Sequence, residues 1–309
     1  MARMTMTGAE AVLKIRVRYW GVRGSFVTSD VRIGNHTSCV SIEYGDQLII
    51  IDTGSGIIDL AQYIIREYIA QNKEIHITIC YSHLHKDHRD GLTSFYPIFF
   101  PNVHIHFIGF KHEAQRNNKT ILETVEENLQ NEVFGGSSFP VPWKDLLSKR
   151  TFQIVEPGEV FTIPCAIGGD IRVLMLEMNH PQRAFGFRFE IGGRIIADTM
   201  DHESDPGSDF DTNIVKLAAD ADLHICEIQY TDDRYFGRMF KGQRPCIGYG
   251  HIHATAAAEH LKQAHPKLCS SIHHEPMADF DEVGAISERV QDLSGVKTIF
   301  AAQGQEILV

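Results

Sequence analysis

Cysteine is sparse and scattered in this chain, with six residues at 39, 80, 165, 226, 246 and 269 and no CxxC pair. That pattern argues against both a disulfide framework and a thiolate zinc site, and leaves the thiols to act as small buried hydrophobes. No stretch approaches the roughly 18 apolar residues of a spanning helix. Met1 to Glu10 carries no apolar segment of signal-peptide length, so a soluble, cytoplasmic protein with no membrane partner is expected. Cations are also short: 29 Lys and Arg against 40 Asp and Glu give a net charge of −11. A broad nucleic-acid surface needs the opposite sign. A small phosphate ester remains compatible, because a local basic patch or a metal pair attracts an anion within an acidic protein. There is no low-complexity tract, and the two halves show too little similarity to be a repeat.

The 309 residues, 43% of them hydrophobic, can bury a substantial core as one domain spanning 1–309. Strands are expected at Lys14 to Trp20, Ser38 to Tyr44, Gln47 to Ile51 and Ile75 to Tyr81, with helical periodicity over Ile57 to Ala70. The second half repeats the plan, with strands near Gln153, Ile171, Phe185, Arg194 and Leu223, and helices at Ala254 to His265 and Phe280 to Leu293. Between the halves, 111–147 reads as a flap-like insertion: a polar helix from about His112 to Gln130, then a Gly- and Pro-rich segment with two aromatics, Phe139 and Trp143.

Histidine is abundant where strands stop. His83-Leu84-His85-Lys86-Asp87-His88 places four metal-capable side chains in six residues directly after an apolar strand. Imidazole and carboxylate are ligands for zinc and related metals, and alternate positions at a strand end point the same way. The bland alternative is a solvated histidine-rich loop. Asp52 closes an earlier strand before Thr53-Gly54-Ser55-Gly56. His180 follows Ile171 to Met178, Asp198 follows Gly193 to Ala197, His251 and His253 precede an Ala-rich helix, and His273-His274 close Lys267 to Ile272.

Ser82 to Leu92 (SHLHKDHRDGL), His180-Pro181 with Gly186-Phe187-Arg188, Ile196-Ala197-Asp198-Thr199 and Gly250-His251 together resemble the motifs of the metallo-β-lactamase-fold hydrolases. The likeness is to their phosphodiesterase branch, with RNase Z and the cyclic-phosphate phosphodiesterases. The separation from His251 to His273, 273 − 251 = 22 residues, also matches. Trp20 to Ser25 and Gly34 to Cys39 are similar to the WGVRGS and GGNTSC segments of a bacterial subgroup, with His36 standing where that subgroup has Asn.

The resemblance implies an α/β fold: a four-layer αβ/βα sandwich of two mixed sheets flanked by helices. It implies two divalent metal ions, with zinc the default and manganese or iron also compatible. His83, His85 and His180 would hold the first ion, Asp87, His88 and His273 the second, and Asp198 would bridge them. Asp87 and His251 are the catalytic candidates, the first orienting or deprotonating water and the second protonating the leaving group. Asp52 would brace a ligand imidazole. Arg23, His253 and Lys241 are candidate substrate contacts, while His36 and His274 stand as further ligand candidates.

The function so implied is a dinuclear phosphodiesterase acting on a cyclic nucleotide or small cyclic phosphate by metal-bound hydroxide. The alternatives are a tRNA 3′-processing-type endoribonuclease, a lactone, thioester or β-lactam hydrolase, and a metal-bound sensor without turnover. A homodimer is compatible with all of them.

Overall fold

A computed structural model describes residues 13–116 and 119–309; the expectation about Met1 to Glu10 lies outside them. Sixteen strands form. In chain order they are β1 (Arg16–Gly21), β2 (Cys39–Tyr44), β3 (Gln47–Ile51), β4 (Ile75–Cys80), β5 (Val103–Gly109), β6 (Lys111–Arg116), β7 (Lys119–Thr124) and β8 (Lys149–Ile154). The second half adds β9 (Val160–Ile163), β10 (Ile171–Met178), β11 (Ala184–Ile191), β12 (Arg194–Thr199), β13 (Leu223–Glu227), β14 (Cys269–Ile272), β15 (Thr298–Phe300) and β16 (Glu306–Leu308). Two seven-stranded sheets result, in the orders β16-β1-β2-β3-β4-β5-β8 and β15-β14-β13-β12-β11-β10-β9.

Each sheet is mixed. β1, β2 and β3 pair antiparallel, whereas β3, β4, β5 and β8 run parallel. In the second sheet β9 to β12 are antiparallel, and β12 to β15 parallel. Parallel strands need crossover helices and are covered on both faces, which is why β3 reads as a continuous apolar run and β13 is buried throughout even though it carries His224 and Glu227. Leu48 to Ile51 are all buried, as are all five residues of β13.

Between the sheets, Phe185, Phe187 and Phe189 project from alternate positions of β11 and are fully buried. Phe185 meets Phe110, at the end of β5, with ring centroids 4.5 Å apart. On the outside, the helix Ile57–Glu67 buries Ile57, Leu60, Ala61 and Ile64, a one-face stripe. The helices Ala254–Ala264 and Phe280–Ser294 lie near their expected bounds and pack together. The expected four-layer αβ/βα sandwich is the observed one.

The middle segment departs from expectation. The polar helix read over 112–130 is instead the hairpin β6–β7, followed by a short helix at Val125–Asn128 capped by the Thr124–Glu127 box. The signal passed over is compositional: an Asn pair at 117–118 separates two runs of strand length, and Asn is turn chemistry. The aromatic half of the presumed flap is anchored as well. Phe134 packs on Trp143 at 5.1 Å, and Trp143 on Phe107 and Phe152 at 6.0 Å each, against β5 and β8. Only the hairpin stands beside the site.

Phe187 sits at the centre of this packing with no exposed surface. Replacing it by Ala should destabilise the fold by about 3–5 kcal/mol, read as a lower urea midpoint at unchanged slope.

Candidate metal centre

In open α/β sheets the carboxyl ends of parallel strands form the crevice where ligands bind. Here two such edges face each other. β3 delivers Asp52, and β4 delivers His83 and His85. The short helix Lys86–Arg89 that follows presents Asp87 and His88. Opposite, β10 leads to His180, β12 to Asp201, β13 ends in Glu227, and β14 leads to His273.

Among the described residues four groups of ligand-capable atoms form, and three lie here: His83, His85, His180 and Asp201 in the first, Asp87, His88 and His273 in the second, and Asp201, His251 and His273 in a third that shares a residue with each. In the first, His85 Nδ1 lies 3.0 Å from His83 Nε2 and 3.1 Å from His180 Nε2, and Asp201 Oδ2 is 3.5 Å from His83 Nε2. In the second, His273 Nε2 lies 3.1 Å from His88 Nε2 and 3.2 Å from Asp87 Oδ2. Asp201 spans both, its Oδ2 3.4 Å from His88 Nε2 and its Oδ1 3.2 Å from His273 Nε2. Nitrogens bound about 2.0–2.1 Å from zinc stand about 3.3 Å apart along a tetrahedral edge, close to these spacings.

The outer nitrogens decide the tautomers. His88 Nδ1 donates to Asp52 Oδ2 at 2.7 Å, His273 Nδ1 to Gln229 Oε1 at 2.9 Å, and His180 Nδ1 to the Gly250 carbonyl at 2.8 Å. Such acceptors hold a proton on Nδ1 and turn Nε2 toward the site. Burial disfavours a charge on His88, but Asp201, Asp87 and Asp52 outweigh it and lift the ring well above the ordinary imidazole range; its Nε2 meets that of His273 at 3.1 Å, where a divalent cation can take the place of a proton. Asp201 Oδ1 is buried and accepts no hydrogen bond among the described residues, so the donor set fits divalent metal on chemical grounds.

Backbone strain supports the placement. Asp52 and His273 hold φ of 58° and 60°, a left-handed region that non-glycine residues enter at some cost. Asp52 is fixed there by the Ser82 N–H at 2.7 Å and the Ser82 hydroxyl at 2.6 Å. Gly250, at φ 86°, lets the His180 ring approach so closely that a Cβ there would lie 2.2 Å from Nδ1.

Charges are unevenly held. Burial pushes His83 well below the ordinary imidazole range, and burial lowers His180 to about 4, so both rings are neutral and ready as ligands. Burial opposes ionisation of Asp201, but His273, His88 and His83 outweigh it and hold its carboxyl well below the usual range. Beside them His251 Nδ1 donates to the fully buried Glu227 Oε1 at 2.8 Å. Burial works against a charged His251, yet Glu227 and then Asp201 lift it to about 9 among the protein's own groups.

No family model and no curated protein matches the sequence. Solved structures do. The chain is similar to YhfI from Bacillus subtilis, described as a metallo-β-lactamase fold protein, at 15% identity and a TM-score of 0.63, over 96% of this chain and 100% of that one. It is similar to unliganded yeast PDE1 at 13% identity and TM-score 0.65, covering 96% and 100%. A diphosphatase from the PhnP family matches at 14% identity and TM-score 0.62, covering 95% and 97%. This chain has the metallo-β-lactamase fold.

Within the metallo-β-lactamase fold, the shared carboxylate is Asp201 and not Asp198. The strand expected to stop at Ala197 continues to Thr199, and Asp198 is still paired in it, with Phe187 on one side and Ile225 on the other. Burial pushes its carboxyl well above the usual range, and its Oδ2 has no hydrogen-bond partner among the described residues. Arg23 is likewise not a substrate contact. It is fully buried and donates to the carbonyls of Gly34, Glu275 and Ala278, clamping loops behind the site. His253 turns away, its Nδ1 on Asp232 at 2.7 Å and its ring stacked on Tyr235. His36 bonds Ser55, and His274 the Ala301 carbonyl, so neither joins the clusters.

Sequence reasoning missed Asp201, Glu227 and Gln229. The last two carry a periodicity signal, being polar residues at the end of a mostly apolar strand.

Asp201→Ala should retain fewer than two ions per chain by elemental analysis, whereas Asp198→Asn should retain both. Arg23→Ala should cost at least about 3 kcal/mol of stability by leaving buried carbonyls unpaired, seen as a lower melting midpoint, with substrate KM of the folded enzyme unchanged.

Proposed function

We propose that the chain is a dinuclear-metal phosphodiesterase acting on a cyclic nucleotide or other small cyclic phosphate, with zinc as the default metal and manganese or iron compatible with the same donors. His83, His85 and His180 would hold one ion, Asp87, His88 and His273 the other, and Asp201 both. When bound, the pair supplies Lewis acidity and acidifies a water from about 15.7 toward 7.

The chain's own groups complete the reaction. Asp87 Oδ2 accepts the Ser25 N–H at 2.6 Å, which aims this carboxylate to orient the attacking water and take its proton. As the new P–O bond forms and the ester P–O bond breaks, the departing alkoxide needs a proton. Glu227 holds the Nδ1–H of His251, so the proton at Nε2 is the one His251 gives up, and Glu227 stabilises the imidazolium until then.

The observation that carries this reading is the His251–Glu227 pair beside the shared carboxylate. An alkoxide leaving group needs such an acid, which a departing thiolate does not; lactones and β-lactams also expel groups that must be protonated, so comparison of substrates separates these from the diester. A cavity of about 660 Å³ opens beside His180, lined by Lys111, Gln115, Gln182 and Arg183 among others. That volume suits a small polar ligand; the wall also carries Glu113 and Glu177, the latter paired with Arg183 at 3.0 Å, so its charges are balanced.

Hydrolysis of bis(p-nitrophenyl) phosphate tests the reading against a chromogenic lactone and a cephalosporin, with metal-stripped protein as control. His251→Ala should lower turnover of a cyclic nucleotide, whose leaving group is an alkoxide, about 10²–10⁴-fold, and that of bis(p-nitrophenyl) phosphate, whose leaving group departs unprotonated, much less, while both ions remain bound. Turnover of the acyl substrates alone would reject the phosphoryl assignment.

A further inference from the structure

The segment from Phe236 to Gly250 runs directly into the site. Its end is tied down: the Glu203 carboxylate accepts the N–H groups of Gly248 and Gly250 and the Tyr235 hydroxyl. Its middle is braced by Gln243, whose carbonyl accepts from Met239 and Phe240 and whose amide donates to Arg234. Polar bonds thus hold a loop whose large side chains face outward. Phe240 is 61% exposed, Ile247 58% and Tyr249 55%, with Phe236 and Met239 also exposed.

The loop's charge is opposite to the rest of the chain. It contains Arg238, Lys241 and Arg244 and no acidic residue, in a protein of net charge −11. Arg238 pairs with Asp233 at 3.2 Å. Lys241 and Arg244 make no ion pair among the described residues.

Two other loops at the same edge carry exposed apolar groups. Hairpin β6–β7, which walls the cavity beside His180, exposes Ile121 and Leu122 with Lys119 adjacent. Phe26 and Val27 are exposed next to Ser25, the residue that holds Asp87. The first loop ends on the Gly250 carbonyl that holds His180, the hairpin walls the cavity beside His180, and the third loop holds Asp87, so all three bring exposed apolar side chains to the edge of the centre, the first with Lys241 and Arg244 as its cations.

We propose that this rim is a docking surface for an anionic phospholipid bilayer. Clustered exposed apolar groups beside Lys and Arg are the composition that lies in a bilayer interface, with the cations drawn to anionic headgroups. The patch mixes aliphatic Met239, Ile247, Leu122 and Val27 with the rings of Phe240, Tyr249 and Phe26; in a bilayer interface aliphatic groups enter the acyl boundary and rings sit at the headgroup level, whereas stacking on nucleic-acid bases would use the rings alone. A second copy placed face to face would set cation against cation. Surface docking needs no spanning segment, so it is compatible with described helices none of which is long and apolar enough to cross a membrane. That the diester cleaved is itself a lipid headgroup linkage rests on the phosphodiesterase reading; the docking does not.

The test is co-sedimentation of the full-length metal-loaded protein with vesicles of phosphatidylcholine alone and of phosphatidylcholine with phosphatidylglycerol. Binding should favour the anionic vesicles and weaken as salt rises. Phe240→Ser with Ile247→Ser, and separately Arg244→Glu, should each weaken it by about tenfold or more, with metal content, melting midpoint and turnover of the soluble diester unchanged. No sedimentation of the wild type with anionic vesicles overturns the proposal. So does wild-type binding by both variants, a solution dimer that Phe240→Ser dissociates, or vesicle-independent capture of a single-stranded oligonucleotide that the charge reversal abolishes. Vesicle binding without turnover of any soluble diester would leave docking intact and reject the phosphodiesterase.

Discussion

A single buried carboxylate, Asp201, holds this site in one piece, standing between two imidazole clusters whose ring nitrogens point at each other. Nitrogens about 3 Å apart on separate strands repel unless something positive lies among them, and a buried carboxylate is costly unless its charge is met. Each half of the problem answers the other once cations are present. Everything else in the centre keeps those donors from turning away: Asp52, Gln229 and the Gly250 carbonyl each hold an outer Nδ1 proton.

The two-sheet architecture makes that constraint tolerable. Asp52 and His273 sit in a left-handed backbone region, at a cost of about 1–3 kcal/mol each. They persist because the strands before them are buried on both faces and cannot shift without disrupting the packed core. The cost falls on the sheets and the benefit on the loops beyond them, a division common where function is carried by strand ends.

Charge is organised at two scales. At the centre, acids outnumber what metal-free histidines can neutralise, and His251 is raised by Glu227 in consequence. At the rim, the chain's overall negative charge gives way to a loop with cations only. A net charge of −11 therefore says little about the potential at that loop, because screening confines each charge's influence to about 8–10 Å.

Part of both clusters was legible in sequence because their donors are neighbours: His83 and His85 of the first and Asp87 and His88 of the second fall within six residues at a strand end, where local geometry alone brings them together. The fold was legible for a related reason, since continuous apolar runs and helical stripes are local patterns. Hairpin β6–β7 was misread where helix and strand propensities are balanced and only an Asn pair marked the turn. Which aspartate is shared, Asp198 or Asp201, was settled by hydrogen bonding to two neighbouring strands, which carried β12 two residues past its apparent end. Arg23, His253 and Glu227 were decided likewise by what lies opposite them. Sequence determines which residue types stand at each strand's end, because that depends on local pattern; tertiary structure decides which of them face one another, because that depends on register, crossover and burial among segments more than a hundred residues apart.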